Sequence, residues 1–130
     1  MAFYLDTSAA VKLVVAEAES TALGTWLREH DDEIVSSDLL RTELLRATRR
    51  GAPEQMPRAR LVLDSVILLT VASTTFERAG EVATERLRSL DALHLSAALE
   101  LGDELDGMVT YDDRLGHAAR LHGIIVITPR

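Results

Sequence analysis

The hydrophobic positions of this chain change period repeatedly, and each change marks a predicted element. Phe3 to Leu5 is a short apolar run closed by Asp6-Thr7-Ser8, after which Ala9, Ala10, Val11, Leu13, Val14 and Val15 suit a buried helix. From Ser20 to His30, Leu23, Trp26 and Leu27 recur at helical spacing, and Asp31-Asp32-Glu33 reads as a solvated turn. Ile34 and Val35 predict a brief strand. Ser37 or Asp38 then caps a helix that carries Leu39, Leu40, Leu44 and Ala47 and ends at Gly51 and Pro53. Pro53 to about Ser65 reads as another helix through Leu61 and Leu63, and Val66 to Val71 is a continuous apolar run of the kind a buried parallel strand shows. Thr74-Thr75-Phe76-Glu77 fits a capping box that opens a helix through Ala79, Val82 and Ala83. Ser89 caps a helix over Leu90 to Leu101, stopped by Gly102. After a polar loop of Glu100, Asp103, Glu104 and Asp106 come a strand over Met108 to Tyr111, a helix from Asp113 to Leu121 ended by Gly123, and a last strand from Ile124 to Ile127.

Five strands alternating with helices predict an α/β domain of three layers, α/β/α, around a five-stranded parallel sheet with right-handed crossovers. The 130 residues fit one domain, residues 1–130, with no repeat or low-complexity tract. Apolar residues make up 47% and aromatics only 4%, so the core is expected to be aliphatic. The absence of cysteine excludes disulfides and thiolate metal sites. The first residues lack the basic and apolar regions of a signal peptide, and no window has the length of a membrane span, so a cytoplasmic protein is expected. A net charge of -7 argues against coating nucleic acid by bulk electrostatics. One stretch runs against that balance: Arg41, Arg46, Arg49, Arg50, Arg58 and Arg60 face only Glu43 and Glu54, and this island is either a solvated helix face or a phosphate-contacting one.

Candidate chemistry sits where such folds place it, beyond the carboxyl ends of the strands, and Asp6 and Asp112 both fall there. Each also reads as a helix N-cap. Asp91 follows Ser89 in a first helical turn, where the helix dipole favours an acid. Glu43 lies one turn from Leu39, Leu40 and Ala47, which places a carboxylate along an apolar stripe; it either reaches the edge of that stripe, pairs with Arg46, or answers to a cation. Four such acids together repel one another unless a cation joins them. Oxygen donors without sulfur or paired histidines suit Mg²⁺ or Mn²⁺ better than zinc. His30, His94, His117 and His122 have no ligand spacing and read as surface or helix-packing residues, His94 drawing notice as a neighbour of Asp91.

At these residues the chain resembles a VapC-type toxin of the PIN-domain ribonuclease family. The resemblance is carried by Tyr4-Leu5-Asp6-Thr7-Ser8-Ala9 with Val11-Lys12-Leu13, by Leu87-Arg88-Ser89-Leu90-Asp91-Ala92-Leu93-His94-Leu95, and by Val109-Thr110-Tyr111-Asp112 with Arg114-Leu115, in that order over nearly the whole length. It implies a PIN-like fold and an acidic constellation at Asp6, Glu43, Asp91 and Asp112 that holds Mg²⁺ or Mn²⁺, with Thr110 near the metal and Ser8 orienting Asp6. Asp113 departs from the pattern; it is expected to begin the following helix and face solvent. The resemblance further implies an RNA substrate, a VapB-type antitoxin partner and a homodimer. Arg41, Arg46, Arg49 and Arg50 would then track the RNA backbone. Two other readings of the same acids are a phosphoryl-transfer domain of another doubly wound fold and a non-catalytic PIN-like binding module. Against the first, Asp6-Thr7-Ser8 lacks a second acid two residues on, and the last strand lacks a nearby lysine.

Overall fold

In the computed structural model, which describes residues 1–30, 33–82 and 86–130, five parallel strands form one sheet. The strands are β1 (Ala2–Leu5), β2 (Ile34–Ser37), β3 (Ile67–Leu69), β4 (Leu105–Val109) and β5 (Val126–Ile127), and their order across the sheet is β3-β2-β1-β4-β5. The helices are α1 (Thr7–Val11), α2 (Ser20–Glu29), α3 (Leu39–Gly51), α4 (Met56–Ser65), α5 (Ser73–Glu81), α6 (Ser89–Leu99) and α7 (Asp113–Leu121). The chain builds outward from β1 to β3 on one side, then returns to place β4 and β5 on the other. The strand order therefore reverses between β1 and β4, and a crevice opens beyond their carboxyl ends.

Side chains alternate across the sheet, which splits the core in two. Ala2, Tyr4 and Met108 point into a cluster with Leu95, Ala98, Leu115 and Ala118 of α6 and α7. Leu5 and Val109 point the other way, into Ala9, Leu23, Leu40, Leu44 and Val62 of α1 to α4. Both faces of the sheet are covered, giving the α/β/α sandwich that the alternation of elements requires. On β4, Gly107 permits close packing: a Cβ there would stand 2.7 Å from Ile127 Cδ1 and 3.0 Å from the Ile125 carbonyl oxygen.

Several local expectations shift. The run from Val66 to Val71 yields only β3, and that strand is an edge with Ile67 51% exposed, because an apolar run does not encode a strand's place in the order. The helix expected from Thr74 begins at Ser73 without a side-chain cap; Thr75 is buried, and its hydroxyl turns to Glu100 at 3.3 Å. Ser89 is the first residue of α6, with Arg88 at the cap position. The helix read from Pro53 starts as a 3-10 turn at Pro53–Gln55 before α4, and the polar loop after α6 holds a second such turn at Gly102–Glu104. β4 begins earlier than expected, at Leu105. The expectations at Asp31, Asp32 and Ala83 lie outside the described residues.

Candidate active site

β1 ends at Leu5, and Asp6 turns the chain into α1 in an extended conformation. Its carboxylate is only 3% exposed. Oδ1 accepts from the Ala9 amide at 3.0 Å, so Asp6 is an N-cap, as one reading of the sequence had it. The capping bond occupies only part of the carboxylate. The Ser8 hydroxyl stands 2.7 and 2.9 Å from its two oxygens, and Thr110 Oγ1 donates to Oδ2 at 2.6 Å. Thr110 Oγ1 in turn accepts from the Asp112 amide at 3.0 Å, and Ser8 Oγ from the Tyr111 amide at 2.9 Å. These hydroxyls tie the carboxyl ends of β1 and β4 together across the switch in strand order. Burial raises the Asp6 carboxyl above its ordinary range, against the donors Thr110, Ser8 and the Ala9 N–H.

Asp112 caps α7 in the same manner, its Oδ1 accepting from the Leu115 amide at 2.9 Å. Asp91 stands in the first turn of α6 with its side chain mostly covered. Burial, and then the charge of Asp112, raise the Asp91 carboxyl; the charge of Arg88 opposes the rise. Arg88 lies between the two acids, Nε 3.5 Å from Asp91 and Nη2 4.0 Å from Asp112, on a side chain that is 74% exposed. Screening by water leaves such a bridge weak. Asp113 is the exposed first residue of α7. Asp113→Ala is therefore expected to leave the activity of this site within about twofold of wild type, the range of an ordinary surface change. A time course with Asp112→Asn in parallel, which keeps the cap on α7, checks the assignment, which fails if Asp113 is the essential residue of the two.

Glu43 is placed by the middle of α3 at the same edge. Its partner is His94 rather than Arg46: His94 Nε2 stands 2.6 Å from Oε1, and Thr7 Oγ1 donates to the same oxygen at 2.9 Å. Burial would raise the Glu43 carboxyl, but the hydrogen bonds from His94 and Thr7 work against it and the group is held below its ordinary value. His94 is 1% exposed, so it is not a surface residue, and both of its ring nitrogens have polar partners. The sequence does carry one hint: His94 lies one turn from Asp91 on α6, facing the same end of the sheet.

Arg46, Arg49 and Arg50 line a cavity of about 300 Å³ on α3, and Arg49 and Arg50 sit roughly 10 Å along the helix axis from Glu43. Arg41 pairs with Asp38 at 3.1 Å, and Arg58 Nε donates to the Leu13 carbonyl at 2.6 Å. A larger cavity of about 560 Å³, lined by Lys12, Thr21, Arg28, Gln55 and Arg58, contains none of the four acids.

Among the described residues, no three acidic or histidine side chains already converge as a closed ion cage. A hard ion such as Mg²⁺ does not require one, since it keeps several waters and takes one or two carboxylates at a time. Asp6, Asp91, Asp112 and Glu43 offer it oxygen donors of the right hardness. The mutual repulsion of Asp91 and Asp112 is the kind of strain that a divalent cation relieves.

An open parallel sheet with acids gathered beyond the carboxyl ends of β1 and β4 defines an α/β protein with its site at the topological switch. The PIN domain family model matches residues 3–128, and the chain belongs to the PIN-domain family, in its VapC branch. It is 40% identical over 130 residues to Ribonuclease VapC47 of Mycobacterium tuberculosis, covering 97% of this chain and 96% of that protein. It is 42% identical over 128 residues to Ribonuclease VapC46 of the same species, covering 98% of each. In fold it is similar to Mycobacterium tuberculosis VapC20, described as a sarcin-ricin loop cleaving toxin, with a TM-score of 0.77 at 16% identity over 98% of this chain and 99% of that one. A toxin-antitoxin complex from Klebsiella pneumoniae gives a TM-score of 0.74 at 20% identity, covering 98% and 97%.

Proposed function

We propose that this chain is the toxin of a toxin-antitoxin pair and acts as an Mg²⁺- or Mn²⁺-dependent endoribonuclease. The observation that carries the reading is a buried Asp6 tied through Thr110 to the end of β4, together with an Asp91 whose carboxyl is raised by burial and by the nearby charges of Asp112 and Glu43, in a chain whose relatives across nearly their full length are named ribonucleases. Asp6, Asp91 and Asp112, with Glu43, would hold the ion. When bound, a divalent ion supplies positive charge at the scissile phosphate and acidifies a water beside it.

The chain's own groups have separable tasks. Thr110, Ser8 and the Ala9 N–H orient Asp6 and stabilise its charge in a buried place. His94 and Thr7 keep Glu43 ionised at neutral pH. Arg88, the cation between Asp91 and Asp112, is placed to meet a phosphate once the acids have another partner. Arg41, Arg46, Arg49 and Arg50 would extend this contact along the backbone of a single-stranded or looped RNA. The partner is a VapB-type antitoxin, a reading supported by fold neighbours that were solved as toxin-antitoxin complexes. A homodimer acting in the cytoplasm completes the proposal; among the described residues no helix is long and apolar enough to cross a membrane.

Water is the nucleophile in this reading, because the histidines are not arranged for attack by the 2′-hydroxyl. That route needs an acid and a base at the phosphate. His94 is buried and engaged, His30 stacks on Trp26 at 4.2 Å, His122 bonds the Ala118 carbonyl at 2.9 Å, and His117 is exposed on α7. Cleaved RNA should carry 5′-phosphate and 3′-hydroxyl ends. Sequencing those ends after brief expression in cells tests the proposal, and recovery of 2′,3′-cyclic phosphates would contradict it.

A further inference from the structure

Glu43 and His94 come from opposite helical layers. α3 packs on one face of the sheet and α6 on the other, yet the two side chains meet around its carboxyl edge, above Tyr4 and Thr7. The contact belongs to a chain of bonds. Tyr4 Oη stands 2.8 Å from His94 Nδ1, His94 Nε2 stands 2.6 Å from Glu43 Oε1, and Thr7 Oγ1 touches both, at 3.3 Å from Nε2 and 2.9 Å from Oε1. Tyr4 and His94 are 0% and 1% exposed, so no water competes for these bonds from outside. Glu43 Oε2 takes no hydrogen bond among the described residues.

From this geometry we infer that Tyr4 and His94 form a positioning relay for Glu43: the phenol fixes the imidazole as the Nε2–H tautomer, and that N–H, with Thr7, clamps Oε1 and leaves Oε2 for the cation. The tautomer follows from donor bookkeeping. A neutral imidazole has one donor and one acceptor, and a carboxylate can only accept, so the nitrogen facing Glu43 must carry the proton. Nδ1 is then an acceptor, and Tyr4 supplies its O–H. A phenol keeps its proton at neutral pH, so the O–H is there to donate. Outer partners of this kind set the orientation of an ion-binding group and tune the ion's affinity without touching it. The relay rests on the functional reading above for its purpose, although the hydrogen-bond order can be read without metal.

The test has two arms. In the metal-free protein at pH 8, long-range ¹H–¹⁵N spectra of the histidines should show His94 as the Nε2–H tautomer, and Tyr4→Phe should loosen that preference. An Nδ1–H tautomer or a doubly protonated ring in the wild type overturns the relay. In the second arm, free Mn²⁺ is counted by electron paramagnetic resonance during titration of wild type, His94→Leu, His94→Gln, Glu43→Gln and the double variant His94→Leu/Glu43→Gln. His94→Leu, similar in bulk but with no donor, should weaken Mn²⁺ binding ~10- to 100-fold. His94→Gln can present an N–H to Oε1 and should stay within a few-fold of wild type. The double variant should bind no more weakly than Glu43→Gln alone, because His94 then has nothing to hold.

A purely structural histidine would behave otherwise: the Gln variant would not rescue, and the two losses would add. Either result, or wild-type affinity in folded His94→Leu, overturns the proposal. If the wild type itself takes up no Mn²⁺, the metal-dependent function is what fails, and the tautomer measurement still decides the relay.

Discussion

Asp6→Asn is expected to abolish RNA cleavage in a protein that stays folded and, without divalent metal, melts at a higher temperature than wild type. The loss should exceed the ~10- to 100-fold that follows when a metal ligand merely loses its supporting partner, since here the ligand itself goes. Folding survives because Asn keeps a carbonyl oxygen for the Ala9 amide, the bond that starts α1, and its amide can donate to Thr110 Oγ1. The stability gain has a definite sign. Burial raises the Asp6 carboxyl in the folded state, so the folded protein holds that proton more tightly than the unfolded chain does. The stabilisation is complete below the ordinary carboxylate value near pH 4 and is lost as the pH rises through the raised one. Asn carries no charge to bury and escapes that loss. Melting curves at several pH values should show the gap between variant and wild type widening toward neutrality, and Asp91→Asn should share the sign because its carboxyl is raised too. Glu43 works the other way: its lowered carboxyl stabilises the fold at neutral pH and loses that effect only as the pH falls through the depressed value. Full cleavage by purified Asp6→Asn would remove this residue from the site.

Chelation should have an effect of the same order. EDTA is expected to reduce cleavage to background, and excess Mg²⁺ or Mn²⁺ to restore it. The same ions should also raise the melting temperature, because a ligand that binds only the folded state adds about 2.7 kcal/mol when present at a hundred times its dissociation constant. Ion binding should flatten the fall of stability with pH, since it compensates the charges that burial and the Asp91–Asp112 repulsion penalise. Undiminished cleavage in EDTA would leave RNA as a substrate but end the carboxylate-metal account.

The alternation of strands and helices was legible because each period is local: Phe3 to Leu5, Ile34-Val35 and the Met108 region read as strands from a handful of neighbours. Asp6 and Asp112 could be placed beyond strand ends for the same reason. What lay hidden depends on pairing across the sheet. The edge position of β3 follows from strand order, which no run of apolar residues records. The start of α5 differs because Ala72 takes the cap position without a side-chain bond, which leaves Thr74, the expected cap, inside the first turn. Glu43 was visible as an acid on an apolar stripe, whereas its partner was not: His94 is 51 residues on and in the opposite layer. Arg46, the neighbour within one turn, was the pairing that helical spacing could offer, and the fold supplied a better one. Arg88 stands in a local motif, but its charge acquires a place between Asp91 and Asp112 only once α6 and α7 lie side by side.

Asp6 and Asp112 each hold the first turn of a helix with one oxygen, which leaves chemistry and architecture sharing a carboxylate at two points of the same crevice. Alanine replacement at either position therefore withdraws a cap along with a charge, and the cap alone is worth about 1 kcal/mol. A scan of this edge by alanine would mix misfolding with lost catalysis in every measurement, while asparagine separates them. The arrangement also bears on how such a surface tolerates drift. A lineage that no longer needed cleavage could exchange these acids for asparagine, serine or threonine and keep its helices, so the fold can outlive the reaction with little change in shape.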